Sequence, residues 1–231
     1  MPVVLIGTLD TKGQEFHFVR ERLREAGLAT LVIDAAVVEP PFFEPDIKRD
    51  EVFAAAGARL ADVQKAGDRG KAIELAARGA ARIVADLFAA GKVDAVLGLG
   101  GSAGTTIATA AMRALPFGVP KLMVSTLASG QVKQYVGVRD VMMMYSVVDI
   151  SGINRISRTV LTNAANAIIG MARQGATAAP PPDSDKPLLT ASMFGVTTPC
   201  VEAARKVLEQ SNYEVLVFHA TGTGGMTMES F

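Results

Sequence analysis

Short runs of valine, isoleucine and leucine alternate with longer segments of helical periodicity along most of this chain. This alternation is typical of parallel βαβ units, in which a helix follows each strand and returns the chain to the same edge of the sheet. The last two runs lack polar–apolar alternation, so we expect both strands to be covered on both faces. The five runs are Pro2–Gly7, Leu28–Ala35, Asp94–Gly100, Lys121–Thr126 and Val141–Ile150.

The segments between these runs carry apolar residues at helical spacing, which predicts helices with one buried face. One helix follows the first strand, a short one is expected near Glu51–Ala56, and longer ones cover Gly70–Ala90 and Arg158–Gln174. The predicted fold class is therefore α/β. We expect a Rossmann-like or flavodoxin-like parallel sheet with helices on both faces.

A stretch rich in proline and alanine interrupts this pattern at 176–187 and is typical of an interdomain linker. We predict a first domain at 1–175 and a second at 188–231. The second segment repeats the strand, helix and strand of the first, with Gly195 in the place of Gly7. A complete α/β domain needs more strands than this, so the chain is expected to stop early in its second domain.

Composition excludes several classes of function. Lys and Arg together number 23, as do Asp and Glu, so no bulk basic surface is available for nucleic acid or an anionic membrane. Cys200 is the only cysteine, which rules out an internal disulfide and suits a reducing compartment. No signal peptide or apolar run of membrane-spanning length is present. We therefore expect a cytoplasmic protein without nucleic-acid or membrane partners.

Three polar loops are expected to meet at one edge of the sheet. In the common strand order 2-1-3-4-5, the first and third strands are neighbours at the point where the order reverses, and ligands bind beyond their carboxyl ends. The loops after these two strands are Gly7–Gly13 and Gly98–Thr106, and the loop after the fourth strand is Ser125–Gly130. Their convergence predicts a ligand site.

The loop after the third strand is suited to an anion. Its glycines Gly100, Gly101 and Gly104 are expected to adopt positive φ and to let a ligand approach the backbone closely. Backbone N–H groups and the amino terminus of the following helix then point at the bound group. The residues do not form a P-loop, because no Lys-Ser or Lys-Thr pair closes the glycine run.

Side chains in the same loops supply further hydrogen bonds and charge. Ser102, Thr105 and Thr106 carry hydroxyls, and Lys12 carries a compact positive charge that suits phosphate. Alternatively, Ser102 and Thr105 only cap the next helix. The remaining candidates in the three loops are Thr8, Asp10, Thr11, Ser125, Thr126, Ser129 and Gly130.

Other candidates have two interpretations of about equal weight. Asp34 ends the second strand and could contact a ribose, or it could be a solvated carboxylate. Asp10 could hold Mg²⁺ through water beside phosphates, or Asp10 or Thr11 could cap the first helix. For Arg69 the weights differ, because a basic residue at such a helix start usually lies in a solvated turn, although Arg69 could reach a phosphate. Two further residues follow the fifth strand at the same sheet edge, Asn154 and Arg155.

Five motifs occur in order along the chain, and a sixth lies near its end. They are Gly7–Glu15, Asp68–Ala72, Gly98–Thr106, Ser125–Gly130, Ser151–Ser157 and Val217–Gly225. Together they resemble the two-domain α/β family that includes the tomato mosaic virus resistance protein, an inhibitor of viral RNA replication. The resemblance implies a Rossmann-like first domain that binds ATP, a second Rossmann-like domain, and a homodimer. It implies no particular reaction.

The expected function is therefore binding of ATP, with Mg²⁺ as a possible companion. No general base and no pair of metal-binding carboxylates stands out in the sequence, so whether the protein is an enzyme stays open. Two alternatives remain. One is an enzyme that acts on a small phosphorylated or carboxylated metabolite, and the other is a protein-interaction module controlled by nucleotide.

Overall fold

The computed structural model describes residues 1–130, 132–175 and 185–231, so most of the predicted linker lies outside the described residues. The chain divides into two compact units. The elements of the first unit are β1 (Val3–Gly7), α1 (Leu9–Glu25), β2 (Thr30–Asp34), α2 (Arg49–Ala55), α3 (Leu60–Ala66), α4 (Arg69–Ala89), β3 (Ala95–Gly100), α5 (Ser102–Arg113), β4 (Lys121–Ser125), α6 (Lys133–Val136), β5 (Met142–Tyr145) and α7 (Arg155–Gly175).

The strands of this unit form one parallel sheet in the order β2-β1-β3-β4-β5, which confirms the predicted order. Gly7 pairs with Asp34 across β1 and β2, and Gly100 pairs with Ser125 across β3 and β4. The carboxyl ends of these strands are therefore level with one another. The loops that follow them emerge at a common edge.

Helices cover both faces of the sheet, as predicted. On one face, Phe16 and Leu23 of α1 pack with Leu161 and Ile168 of α7 against the strands. On the other face, residues of α2, α4 and α5 form a second apolar layer, with Phe53 as its largest fully buried side chain. Every residue of β1, β3 and β4 is buried, which explains why their sequences show no alternation.

The prediction that the fifth strand is covered on both faces is wrong. Met142 is 47% exposed and Tyr145 is 44% exposed in β5, whereas β4 is buried throughout. β5 is the end strand of the sheet, where the covering helices extend less far. An apolar run without alternation therefore does not distinguish an inner strand from an edge strand.

The second unit contains a parallel pair of strands and the helices beside it. β6 (Leu188–Met193) leads through a 3₁₀ turn at Gly195–Thr197 into α8 (Thr198–Gln210), and the remaining elements are β7 (Glu214–His219) and α9 (Gly224–Glu229). The predicted strand, helix and strand of this segment are confirmed. Among the residues that the structure describes, no helix combines the length and the apolarity needed to cross a bilayer.

Candidate functional site

An open cleft of about 610 Å³ lies at the carboxyl ends of β1, β2 and β3, where the strand order reverses. It is bounded by the loop after β1, the loop after β2, the corner between α3 and α4, and the amino-terminal half of α5. The lining residues are Thr8, Asp10, Thr11, Ala35, Val37, Val38, Val63, Gln64, Gly67, Asp68, Arg69, Ala72, Ile73, Ala76, Ala103 and Ile107. The size suits a ligand of nucleotide dimensions.

One side of the cleft is an apolar wall, formed by Ala35, Val37, Val38, Val63, Ala72, Ile73 and Ala76. Val38 is 75% exposed, so this side chain has apolar surface available to cover a ligand. The sequence analysis missed α3, which supplies Val63 to this wall, and did not assign the wall residues after β2 or in α4 to the site. Leu60 and Val63 at helical spacing, followed by Gly67 with φ 65° at the helix end, were the available signal.

The amino terminus of α5 borders the cleft without a side-chain cap. Gly101 is the N-cap residue, none of the described side chains bonds to the first N–H groups, and Ala103 lines the cleft. The alternative that Ser102 or Thr105 caps this helix is therefore wrong. Amide groups at a helix amino terminus have no intrahelical acceptor and favour an anion. The backbone amides therefore make the α5 end of the cleft polar, although few polar side chains line it.

The glycines of this loop serve packing rather than positive φ. A Cβ on Gly98 would lie 2.4 Å from Ala108 Cβ, and one on Gly100 would lie 3.0 Å from Gly104 Cα. These glycines let α5 pack directly on β3. Gly101 has φ −81°, so the expected positive φ is wrong there, and Gly100 and Gly104 are also absent from the positive-φ glycines of the described chain.

The loop after β1 presents Thr8, Asp10 and Thr11 to the cleft. The Thr8 and Thr11 hydroxyls lie 2.9 Å apart, within hydrogen-bond distance. α1 begins at Leu9 with Thr8 as N-cap residue and without a side-chain cap, so capping by Asp10 or Thr11 is wrong. Asp10 Oδ1 is buried and accepts no hydrogen bond from any described residue. A buried acceptor of this kind favours a ligand that brings a donor or a cation.

Lys12 is held by another part of the molecule. Its Nζ donates a hydrogen bond to the Ile150 carbonyl, in the loop after β5. The Lys12 backbone departs from helical geometry, and the buried Glu15 accepts a 2.6 Å hydrogen bond from Gly152 N–H in the same loop. Lys12 therefore ties α1 to this loop. Arg69, exposed at the start of α4, is a cation that does line the cleft.

Asp34 is neither a ribose ligand with free oxygens nor a solvated carboxylate, so both interpretations are corrected. Its side chain is 1% exposed and lies 2.9 Å from Nη2 of Arg49, whose Nε also donates to Asp34 Oδ2. Its other oxygen accepts hydrogen bonds from the N–H groups of Leu9 and Ala36. Asp34 thus anchors the beginning of α1 and the loop after β2, two of the segments that border the cleft.

The hydroxyls predicted between the third and fourth strands bond to the protein itself. Thr105 and Ser125 are both buried, with their oxygens 2.7 Å apart, and Ser125 Oγ also accepts from Leu127 N–H. Thr106 Oγ1 donates to the Ser102 carbonyl at 2.9 Å. Buried hydroxyls need partners, and the adjacent strand end supplies them. Thr105 and Ser125 are therefore structural.

The loop after β4 is likewise bonded to neighbouring backbone. Thr126 N–H donates to the Gly100 carbonyl, and Gly130 N–H donates to the Leu127 carbonyl at 3.1 Å. Ser129 and Gly130 are exposed. None of these loop residues is part of the cleft lining, so the structure does not place them at the cleft.

The two candidates after β5 begin a helix. Asn154 Oδ1 accepts hydrogen bonds from the N–H groups of Ile156 and Ser157, at 2.9 and 3.0 Å, and so caps α7. Arg155 is the first residue of α7 and is exposed. Both follow the loop that Lys12 and Glu15 of α1 contact, but neither is among the residues that line the cleft. The structure therefore does not place them at the cleft.

The pKa of Asp140 is clearly shifted. This residue forms an ion pair at the edge of the sheet opposite the cleft, where β4 begins. Partial burial would raise the pKa of Asp140, but hydrogen bonds from Lys121 Nζ and Gly118 N–H, with the charge of Lys121, together lower it below 3.8. Lys121 is fully buried at the start of β4, 2.7 Å from Asp140. This pair is structural. The described residues contain no cluster of three or more His, Cys, Asp or Glu that could hold a metal by themselves.

Comparison with known proteins identifies relatives over nearly the whole chain. Residues 1–177 match the model described as "Uncharacterised protein family (UPF0261) N-terminal domain", and residues 186–231 match the corresponding C-terminal domain. A UPF0261 protein of Clostridium tetani is 50% identical over 227 residues, covering 98% of this chain and 55% of that protein. The chain therefore spans about half the length of this relative.

The ToMV susceptible protein tm-1(GCR26) of Solanum lycopersicum is 35% identical over 244 residues, covering 98% of this chain and 32% of that protein. Among solved structures, UDP-N-acetylglucosamine 2-epimerase from Rickettsia bellii matches 100% of this chain and 65% of its own, with a TM-score of 0.37 and 12% identity. So weak a structural likeness supports no inference about function. The resemblance to the family of the tomato proteins is confirmed by sequence, and the chain belongs to the UPF0261 family.

Proposed function

We propose that the cleft binds a nucleotide and that this nucleotide is ATP. The observation that carries the proposal is that an uncapped helix amino terminus and an apolar wall border the same cleft. The wall suits the base and sugar, and the amides at the start of α5 suit the phosphates. Arg69 at the rim supplies positive charge to the same group.

Asp10 supports a role for Mg²⁺ in this complex. A carboxylate beside a triphosphate is repelled unless a cation lies between them, and Asp10 Oδ1 is buried without a partner among the described residues. Mg²⁺ is commonly held by one or two carboxylates together with substrate phosphates and water. On this proposal the nucleotide brings the cation, and Asp10 supplies one ligand, directly or through water.

The alternative of a small phosphorylated or carboxylated metabolite is supported less well. Such a ligand would occupy the α5 end and leave the apolar wall uncovered, including the exposed Val38. No described arrangement supports a particular reaction, so the proposal is binding rather than catalysis. A homodimer stays a prediction from the family resemblance, and a nucleotide-controlled partner surface stays a separate alternative.

Calorimetric titration of the full chain with ATP, adenosine and inorganic triphosphate, each with and without Mg²⁺, tests the proposal. We expect ATP with Mg²⁺ to bind at least tenfold more tightly than either part alone, because it contacts both ends of the cleft. Absence of saturable ATP binding at millimolar concentration would overturn it.

A matched pair of variants places the binding in the cleft. Val38 is 75% exposed in the apolar wall, and Val207 is 62% exposed on α8. Val38→Asp should weaken ATP binding at least tenfold, because a carboxylate disfavours an apolar base and repels phosphate. Val207→Asp should not change the affinity. Equal effects of the two substitutions would contradict the assignment of the site.

A further inference from the structure

The polar side chain of Gln64 stands within the apolar wall, on α3. Its Nε2 donates a 2.6 Å hydrogen bond to the Val37 carbonyl, in the loop after β2. A carbonyl oxygen can only accept, so the amino group of the amide must face Val37. The orientation of the Gln64 amide is therefore determined by this contact.

This orientation leaves the Gln64 oxygen available to a ligand. No described residue donates a hydrogen bond to Gln64 Oε1, which carries two acceptor lone pairs. Val37, Val38, Val63 and Ile73 line the same cleft and can cover the faces of a flat ring. The hydrogen-bonding edge of a ring placed there meets the Gln64 oxygen, which is an acceptor.

The position of Gln64 agrees with a base at the β2 side of the cleft and phosphates at the β3 side. β1 separates these strands, and neighbouring strands are about 4.8 Å apart, so their carboxyl ends are about 10 Å apart. A nucleoside bridges a distance of this order. The base then reaches Gln64 while the phosphates reach the amides of α5.

We propose that Gln64 makes the cleft selective for 6-aminopurine over 6-oxopurine nucleotides. The inference rests on the proposed function and adds a specificity-determining residue to it. With position 6 of the purine facing Oε1, an amino group donates to this oxygen, whereas the oxo group of hypoxanthine or guanine is itself an acceptor, and the N1–H of these bases reaches Oε1 only after the ring shifts. A site built to accept a hydrogen bond at this position discriminates against a ligand that presents an acceptor there.

The test compares ATP with ITP, whose base differs by an oxo group and a ring proton in place of the 6-amino group. Calorimetry of the full chain with Mg²⁺ should show a preference for ATP of about tenfold, as for one hydrogen bond at a partly exposed site. Gln64→Met keeps the length of the side chain without its hydrogen bonds. It should reduce the preference to within about twofold, mainly by weakening ATP. Gln210→Met, at the end of α8, is the matched control and should retain the preference.

The outcomes separate the two proposals. ATP binding with an unchanged ATP-to-ITP ratio in a folded Gln64→Met variant overturns the role of Gln64 and leaves nucleotide binding standing. Failure of both nucleotides to bind the wild-type chain overturns the proposed function and this inference with it. Purine riboside triphosphate, which has hydrogen at position 6, tests the wild-type chain alone. It should bind more weakly than ATP and at least as well as ITP, and binding equal to ATP would also overturn the role of Gln64.

Discussion

The carboxyl edge of the sheet has two halves that treat their polar groups differently. At the β4–β5 half, Ser125 bonds with Thr105, and Asn154 caps α7, so the polar side chains are engaged within the protein. At the β1–β3 half, α5 begins without a cap and Asp10 Oδ1 has no partner among the described residues. The half with unsatisfied groups is the one that borders a cleft of ligand size.

Both halves carry serine, threonine and glycine, so the presence of these residues does not separate them. What separates them is whether each donor and acceptor has a partner. Burial without a partner costs more than a surface hydrogen bond contributes, and such groups persist where a ligand completes them. The predictions below test this distinction between a half that binds and a half that stabilises.

The largest effect, on stability, is expected from substitution of Asp34, which anchors two segments that border the cleft. Asp34→Ala leaves Arg49 charged and buried and removes the acceptor of Leu9 N–H and Ala36 N–H. The free energy of unfolding should fall by about 3–5 kcal/mol. Urea denaturation followed by circular dichroism measures it.

The exposed pair Lys71–Glu74 supplies the control for this anchor. Glu74→Ala should change stability little, because solvated ion pairs contribute little. The double variant Asp34→Ala with Arg49→Met should recover part of the loss, since no buried charge remains. If the single Asp34 variant matches Glu74→Ala, then the Asp34 pair does not anchor these segments.

A substantial effect on binding, rather than stability, is expected at Gly101. Its backbone is in a conformation open to any residue, and a Cβ at this position would have Thr126 Oγ1 as its nearest neighbour, 3.7 Å away. Gly101→Val should therefore fold normally, yet crowd the uncapped amides of α5 and weaken ATP binding at least tenfold by calorimetry.

Gly100→Ala should show the reverse pattern. Its methyl group would meet Gly104 Cα at 3.0 Å, so α5 must shift from β3 at a cost of about 1–3 kcal/mol. Stability measured by urea denaturation falls in this variant more than in Gly101→Val. A stable Gly101→Val protein with wild-type ATP affinity would contradict the assignment of phosphates to this helix.

Much of the fold could be predicted from sequence because each strand carries its own signal. Runs such as Lys121–Ser125 have an apolar middle without alternation, and the α/β pattern has one common strand order, which the structure confirms. α3 was missed because seven residues between loops give two turns of helix and little periodicity. β5 carried the same signal as β4 although it ends the sheet.

The position of the candidate site could be predicted from the sequence, but the role of each residue in it could not. The sequence predicts that glycines are needed after β3, but whether positive φ or close packing requires them depends on α5, which lies 2.4 Å from a Cβ built on Gly98. Asp34 and Arg49 are separated by a long loop, so no local pattern links them. Hydrogen-bond and ion-pair partners that meet only in the folded protein determine which polar residues are still able to bind a ligand.

A smaller effect on ATP affinity should distinguish Arg69 from Lys12. Arg69 lines the cleft, whereas Lys12 donates to the Ile150 carbonyl. Arg69→Met should weaken ATP about fivefold and adenosine hardly at all, because an exposed charge acts on the phosphates through solvent. Lys12→Met should lower stability and leave the ratio of ATP to adenosine affinity unchanged. Calorimetry in low and high salt measures both, and a larger loss of ATP affinity with Lys12→Met would place Lys12 at the phosphates instead.

The smallest effect is expected outside both halves, at Asp140 on the opposite edge of the sheet. Because its pKa is lowered in the folded protein, the ionised carboxylate contributes stability that is present above pH 3.8 and is lost as the pH falls through the lower folded value. Asp140→Asn should therefore cost about 0.5 kcal/mol at pH 7, a small value because the carboxylate is 40% exposed, and the difference from wild type should shrink as the pH falls below 3.8. Urea denaturation at pH 7 and at a series of lower pH values measures it. A difference that stays constant with pH would assign the effect to packing around Lys121, and a loss of ATP affinity at pH 7 would contradict the independence of this ion pair from the cleft.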